Sequence, residues 1–84
     1  MFEKKEKTYI GDTIYVTKHE EQPVEILLDI IVRNAERFSK QRDEMPTNVK
    51  MTYGQYLKIL DYNHTLIEKK ENGGYYIFGM MISL

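Results

Sequence analysis

The sequence contains no cysteine and no tryptophan, and only two prolines. Without cysteine, disulfides, thiolate zinc sites and cysteine nucleophiles are excluded, and the composition suits a reducing compartment. No apolar run approaches the roughly 20 residues that a membrane-spanning helix needs. The charged residues 1–7 are not followed by the apolar segment of a secretory signal. These absences predict a cytoplasmic protein with no membrane association.

Charge of one sign is also scarce, because 12 basic residues nearly balance 13 acidic ones and the net charge is −1. This balance argues against a dedicated electrostatic binder of nucleic acid, which is usually basic overall. A hydrophobic fraction of 42% with 30% charged residues is ordinary for a globular domain. We predict a flexible, solvated tail at residues 1–7 and one α+β domain at residues 8–84.

The first half of the domain reads as strand followed by helix. Thr8–Lys18 is rich in β-forming residues, and Gly11-Asp12 interrupts it. That interruption fits either a two-residue type II′ hairpin or one strand with a glycine bulge, and the residues leave both open. Pro23–Arg42 reads as a helix, because apolar residues from Val24 to Phe38 recur at helical spacing.

A short strand and a second helix follow. Val49–Met51 places two apolar side chains on one face of a strand. Thr52 and Gln55 have the spacing of a capping box, which predicts that a helix begins between them. This helix is predicted to end near Tyr62, with Asn63 as a left-handed cap.

The end of the sequence reads as a hairpin. Thr65–Lys69 is a predicted strand, and Asn72-Gly73 predicts a type I′ turn that Gly74 extends into a bulge. We predict one return strand over Tyr75–Leu84. In this interpretation Tyr76, Phe78, Met80, Ile82 and Leu84 share one face, whereas Tyr75, Ile77, Gly79, Met81 and Ser83 share the other. Apolar groups on both faces indicate an inner strand.

These elements predict the order β(β)-α-β-α-β-β. Two helices would pack on one face of a small, mostly antiparallel sheet, which is an α+β fold.

No catalytic residue, metal ligand or cofactor is predicted. Asp61 and His64 lie three residues apart at a helix end, a spacing that could serve a metal or a proton relay. Two residues are too few for a site, and a carboxylate and a histidine at a helix end explain the pair equally well. We therefore predict that the protein is not an enzyme.

Seven tyrosines are the compositional oddity of the chain. A tyrosine buries a large ring at little entropic cost while its hydroxyl stays in water, so exposed tyrosines often anchor binding surfaces. Tyr56 and Tyr76 read as core residues, and Tyr9 and Tyr15 as residues that line a sheet. The candidates for a partner-binding surface are Tyr53, Tyr62, Tyr75 and Met81.

Tyrosines could instead stack on bases beside neighbouring cations. The lysines in question are Lys50, Lys58, Lys69 and Lys70, and acidic residues Asp61, Glu68 and Glu71 are interspersed among them. Because those acids dilute the positive field, nucleic acid is the less favoured partner.

One stretch has a family resemblance. Pro46-Thr47, Val49 and Met51, followed by Tyr56 and Leu60, resemble a stretch of tailed-bacteriophage major capsid proteins in which a strand leads into a capped helix. The ending Ile77-Phe78-Gly79-Met80-Met81-Ile82 is similar to a later strand of that family. The resemblance implies a β-α-β-β module and a phage or prophage origin, and it carries no catalytic residues. The chain is far too short to be a capsid protein.

Together these observations predict a phage- or prophage-encoded accessory protein that binds another protein, such as a host or defence factor, in the bacterial cytoplasm. One alternative is a self-assembling structural or virion component, because the two-faced apolar strand at the end of the chain needs a cover. The other is a nucleic-acid-binding protein.

Overall fold

A computed structural model describes residues 9–84. The predicted tail at residues 1–7 and the predicted strand start at Thr8 lie outside this range. The helices and strands are β1 (Tyr9–Ile10), β2 (Thr13–Tyr15), α1 (Val24–Arg42), β3 (Asn48–Lys50), α2 (Tyr53–Tyr62), β4 (Ile67–Lys69), β5 (Tyr75–Ile77) and β6 (Met80–Ser83). Short 3-10 turns occupy Thr17–His19 and His64–Leu66.

The strands form one six-stranded sheet in the order β1-β2-β3-β6-β5-β4. β2, β3 and β6 run parallel to one another. The other three pairs are antiparallel, namely β1 with β2, β6 with β5, and β5 with β4. The α+β class is confirmed, but the expected mostly antiparallel sheet is wrong, because the sheet is mixed. The α1 crossover returns the chain beside β2 in the same direction, and the connection through α2, β4 and β5 returns it beside β3 in the same direction.

The apolar core lies on one face of this sheet, beneath both helices. Strand side chains such as Ile14, Val49 and Met80 are fully buried there against Phe38 of α1 and Ile59 of α2. These strand residues alternate with outward-facing neighbours, as a two-residue period requires. One face of the sheet is therefore covered by helices, as predicted.

The predicted single strand over Tyr75–Leu84 is wrong. Phe78 and Gly79 have φ of 51° and 83° and form a two-residue turn, so Ile77 pairs with Met80. Positive φ at both positions is the type I′ geometry that suits a hairpin. The turn reverses the chain, so the alternation begins again at Met80. Phe78 is consequently a turn residue, 45% exposed, and not part of an inner strand.

The predicted assignment of the Tyr75–Leu84 side chains to two faces is wrong for the same reason. Tyr76 pairs with Met81 and shares its face, whereas Met80 lies on the opposite, helix-covered face. The prediction of an inner strand holds for β6, which lies between β3 and β5.

The sequence predicts turns at Gly11-Asp12 and Asn72-Gly73, and the structure agrees with the prediction better at the first than at the second. Gly11 has φ of 59° and Ile10 pairs with Thr13, which confirms the hairpin at Gly11-Asp12. At Asn72-Gly73 only Gly73 has positive φ, at 85°. Its N–H donates to the Lys70 carbonyl at 2.9 Å. This pattern is a type I turn followed by a left-handed glycine, not the expected type I′ turn.

The predicted start of α2 is confirmed, whereas the left-handed cap predicted at its end is wrong. The Gln55 N–H donates to Thr52 Oγ1 at 3.1 Å, and the Thr52 N–H donates to Gln55 Oε1 at 2.8 Å. These reciprocal bonds are the capping box. Asn63, in contrast, has an extended backbone with φ of −161°. Its side chain accepts a hydrogen bond from the Thr65 N–H at 3.1 Å instead.

One polar side chain in the core is unsatisfied. Asn34 of α1 is only 6% exposed, and its Nδ2 has no hydrogen-bond partner in the part of the chain that the structure describes. A buried donor without a partner costs about 1–3 kcal/mol. We expect Asn34→Leu to raise the free energy of unfolding by about 1 kcal/mol, measured by urea denaturation.

Asn48→Leu is the matched control for this prediction. Asn48 is half-buried, and its Oδ1 accepts a hydrogen bond from Thr47 Oγ1 at 2.8 Å. Removing this satisfied side chain should not stabilise the protein. A loss of stability in Asn34→Leu would contradict the assignment of Asn34 as unsatisfied.

Candidate protein-binding surface

Three tyrosine rings meet where α2 passes over the end of β5. The ring centroids of Tyr53 and Tyr56 are 6.1 Å apart, with the rings inclined by 23°. Those of Tyr56 and Tyr75 are also 6.1 Å apart, in an edge-to-face arrangement at 65°. Both distances lie within the range of favourable aromatic pairs. We call Tyr53, Tyr56 and Tyr75 the tyrosine cluster.

Local and long-range features build this cluster. The capping box begins α2 at Tyr53, and the three-residue spacing places Tyr56 beside Tyr53 on the helix surface. Tyr75 belongs to β5 and lies on the same sheet face as the buried Ile77, two residues on. That face is the one that α2 covers, so Tyr75 reaches the edge of Tyr56.

The cluster combines one partly buried ring with two exposed rings. Tyr53 is 61% exposed and Tyr75 is 42% exposed, whereas Tyr56 packs partly against the core. Leu57 lies four residues after Tyr53, hence on the same side of the helix, and is also exposed. The result is a contiguous exposed surface of apolar groups with hydroxyls at its rim.

The electrostatics of the cluster involve the partly buried Tyr56 and a cation beside Tyr75. Burial, then the nearby Tyr75 and Tyr53, raise the pKa of Tyr56 above its ordinary value. The Tyr56 hydroxyl therefore stays protonated at neutral pH. Lys69 pairs with Tyr75 across β4 and β5, and its Nζ lies 5.9 Å from the Tyr75 ring centroid. This is a cation–π distance.

Of the four residues predicted for a partner surface, the structure brings two together. Tyr53 and Tyr75 meet through Tyr56, which the sequence placed in the core. The three-residue spacing of Tyr53 and Tyr56 indicates that these two rings are neighbours on a helix.

Tyr62 and Met81 lie elsewhere. Tyr62 is exposed but follows Tyr53 by nine residues, which is about two and a half helical turns, so it lies on the opposite side of α2. Met81 lies on the sheet face opposite to Tyr75, beside Tyr76. The structure therefore does not place these two side chains with the tyrosine cluster.

A second apolar feature lies between α1 and the β5–β6 turn. A groove of about 410 Å³ is lined mainly by Val32, Ala35, Met45, Phe78 and Met80. Met45 and Phe78 are exposed, at 60% and 45%. Phe78 is held in the left-handed region, where a bulky residue is rare. We call this feature the Phe78 groove.

Within residues 9–84 no three histidine, aspartate or glutamate side chains come together in a way that could hold a metal ion. Asp61 and His64, paired by their spacing, are both exposed. No helix of the same range is long and apolar enough to cross a membrane. No family model matches the chain, and neither a curated protein nor a solved structure matches it.

Proposed function

We propose that this protein acts without catalysis, by binding another protein through the tyrosine cluster. The observation that carries the proposal is the contact of three tyrosine rings, two of them widely exposed and joined by a partly buried third. Rings held by one another lose little entropy when a partner covers them. Tyrosine is also among the residues that contribute most to protein interfaces.

The chemistry of the tyrosine cluster indicates what a complementary partner protein would present. Tyr53, Tyr75 and the exposed Leu57 offer apolar area, and the phenols offer hydrogen-bond donors. Lys69 adds a positive charge next to Tyr75. A complementary partner would present apolar side chains with a carboxylate or backbone carbonyls beside them.

The proposal has a more specific form, in which the chain is encoded by a phage or prophage and its partner is a bacterial host or defence protein. Its support is the resemblance of Pro46–Leu60 and of the chain's end to capsid-protein stretches. The gene neighbourhood tests this form. Adjacent early phage genes would support it, whereas a position among housekeeping genes would contradict it.

The binding surface is tested with a paired alanine substitution. We expect Tyr53→Ala combined with Tyr75→Ala to weaken binding to a partner captured from bacterial lysate by at least about thirtyfold, because one interface hot spot contributes about 2 kcal/mol. The measurement is a pull-down with the full chain, followed by titration calorimetry with the purified partner.

Tyr62→Ala is the matched control, since Tyr62 is a similarly exposed tyrosine of the same helix outside the cluster. Its affinity should equal that of the unsubstituted protein. Equal losses in both variants, or no stoichiometric partner at all, would contradict the proposal. Circular dichroism establishes that each variant is folded.

Self-assembly is a second candidate, favoured by the Phe78 groove. Its exposed Met45 and Phe78 form an apolar surface of the kind that subunits bury against one another. Light scattering on the purified protein separates the two candidates. A clean monomer at micromolar concentration would remove self-assembly and leave the first proposal standing.

A further inference from the structure

The face of the sheet opposite the helices is open among residues 9–84. The strand register places one row of side chains straight across all six strands, and a second row beside it. The first row is Ile10, Thr13, Asn48, Met81, Tyr76 and Glu68, and the second is Tyr15, Lys50 and Ser83. We call this surface the outer face.

Two tyrosine–lysine pairs lie on the outer face. Tyr15 of β2 is the direct neighbour of Lys50 in β3. The Lys50 ammonium donates to the Leu84 carbonyl, and because an ammonium has three donors, two have no hydrogen-bond partner within residues 9–84. In the second pair, Lys70 Nζ lies 4.2 Å from the ring centroid of Tyr76.

The second pair is fixed by its surroundings. The Tyr76 hydroxyl accepts a hydrogen bond from Asn72 Nδ2 at 2.8 Å, from the turn that also carries Lys70. A methyl group at Gly74 would lie 3.0 Å from the Tyr76 ring and 3.2 Å from Met81 Sδ, so the ring packs closely here. Tyr76 therefore holds the Lys70 charge in place, and we assign stacking to the half-buried Tyr15.

The outer face is a poor match for another copy of the chain. Six strands about 4.8 Å apart and about 10 Å long give an area of roughly 300 Å², whereas a stable complex buries about 800 Å² on each partner.

The same residues suit a polyanion that carries flat rings. Lysines attract phosphates, tyrosine rings stack on bases of any sequence, and the Thr13, Asn48 and Ser83 side chains can hydrogen-bond base edges or sugars. Glu68 lies at the β4 end of the row, directly beside Tyr76 and three strands from Lys50, so the acidic charge is next to the second pair and away from the first. We propose that the outer face binds single-stranded nucleic acid.

The geometry defines how such a ligand lies. Tyr15 and Tyr76 are on strands three places apart in the sheet, which separates the two pairs by about 14 Å across the strands. One short segment crossing the strands can stack a base on Tyr15 and place phosphates at Lys50 and Lys70. Only two phosphates are neutralised, so the affinity depends on stacking more than on charge.

Binding is measured with labelled oligothymidylate and oligouridylate of about a dozen nucleotides, a length that one small domain can occupy. Fluorescence anisotropy with the full chain should show binding at low salt. The plot of log affinity against log salt should have a slope of about −1.4, which corresponds to two phosphates on a single strand. Tyrosine emission should be quenched by an unlabelled oligonucleotide.

Two variants test the named contacts. Tyr15→Leu should weaken binding about tenfold, the effect of losing one stacked base. Lys50→Gln should reduce the slope to about −0.7, because one phosphate contact is lost. Tyr62→Leu and Lys40→Gln, exposed residues away from the outer face, are the matched controls and should leave affinity and slope unchanged.

Backbone amide NMR shifts of the unsubstituted protein locate the oligonucleotide independently of any variant, so a variant that fails to fold leaves the test intact. Shifts confined to β2, β3, β6, β5 and the Lys70–Gly74 turn support the proposal. No binding at low salt, shifts at the tyrosine cluster instead, or equal losses in variants and controls would overturn it. Protein binding through the tyrosine cluster involves the other side of the sheet and is unaffected by either result.

Discussion

Phe38→Ala is expected to lower the free energy of unfolding by about 3–5 kcal/mol, because Phe38 is the largest of the fully buried side chains. It lies on the inner side of α1, so its removal leaves a cavity in the core where α1 meets β1. Small domains are stable by about 5–15 kcal/mol in total, so the variant should be partly unfolded at moderate temperature. Thermal denaturation should show a midpoint at least about 15 °C lower.

Part of this loss of stability comes from the contacts that join β1, at the edge of the sheet, to α1. The Phe38 and Tyr9 ring centroids are 4.9 Å apart in an edge-to-face arrangement at 72°. The Arg42 guanidinium lies 5.1 Å from the Phe38 ring and donates to the Gly11 carbonyl at 2.9 Å. Because Tyr9 also donates to the Gln41 side chain, β1 is attached to α1 mainly around this ring.

Phe38→Leu separates the contribution of the aromatic ring from that of the buried volume, and Tyr62→Ala is the control. Leucine keeps much of the buried volume but loses the aromatic edge, so about 1–2 kcal/mol should be lost. Tyr62→Ala removes an exposed helical aromatic and should change stability by less than about 0.5 kcal/mol. A loss below about 1 kcal/mol in Phe38→Ala would contradict the close packing of this buried ring in the core.

Features encoded within a few residues could be predicted from the sequence. The capping box of Thr52 and Gln55 and the hairpin at Gly11-Asp12 depend on short-range geometry, and the structure contains both. The apolar spacing of α1 is equally local, and α1 ends at Arg42 as predicted. Such elements are stabilised by neighbours in the chain, so one sequence is enough to locate them.

The Phe78-Gly79 turn could not be predicted on the same basis. Phenylalanine rarely adopts positive φ, so nothing in the sequence marks Phe78 as a turn residue. An uninterrupted alternation over Tyr75–Leu84 is the simpler interpretation, and a two-residue turn preserves its apolar pattern while reversing the chain. Here the pairing of Ile77 with Met80 in the core decides the conformation over local preference.

Long-range pairing also explains why the sheet order and the tyrosine cluster could not be predicted. The parallel contact of β3 with β6 joins Asn48 to Met81, and no local pattern encodes such a pairing. Tyr75 joins the tyrosine cluster through the same kind of contact, across the fold from α2. The exposed tyrosines could be identified from composition, but which of them meet depends on the register of the sheet.

The register also separates two surfaces of different chemistry. Adjacent residues of one strand, Tyr75 and Tyr76, are directed to opposite faces of the sheet. Tyr75 joins the apolar cluster beside α2, whereas Tyr76 carries the Lys70 charge on the outer face. A shift of β5 by one residue would exchange the two rings and remove both surfaces.

Gln55 connects the stability of α2 to the tyrosine cluster, and its substitution is expected to have the second largest effect. The side chain is fully buried and makes two hydrogen bonds: Oε1 accepts from the Thr52 N–H at 2.8 Å, and Nε2 donates to the Val16 carbonyl at 2.8 Å. The first bond closes the capping box, and the second joins the start of α2 to the end of β2. We expect Gln55→Ala to cost about 2–4 kcal/mol.

Gln55→Leu and Thr52→Ala separate these contributions. Leucine fills a similar volume but can neither accept from Thr52 nor donate to Val16, so about 2 kcal/mol should be lost without a large cavity. The Val16 carbonyl keeps its bond from the His19 N–H at 3.0 Å, which limits this loss. Thr52→Ala removes only the cap acceptor and should cost about 1 kcal/mol. Urea denaturation measures all three.

The consequence for binding distinguishes Gln55 from an ordinary core residue. Because Tyr53 and Tyr56 project from the first turn of α2, fraying of that turn would separate their rings even where the protein stays folded. Near-ultraviolet circular dichroism of the tyrosines should therefore weaken in Gln55→Leu at temperatures well below its unfolding midpoint, and affinity for the captured partner should fall with it. Asn34→Leu, a buried substitution on the other helix, should leave this tyrosine signal intact. A Gln55→Leu variant with reduced stability but an unchanged tyrosine spectrum and unchanged binding would show that the tyrosine cluster does not depend on the cap of α2.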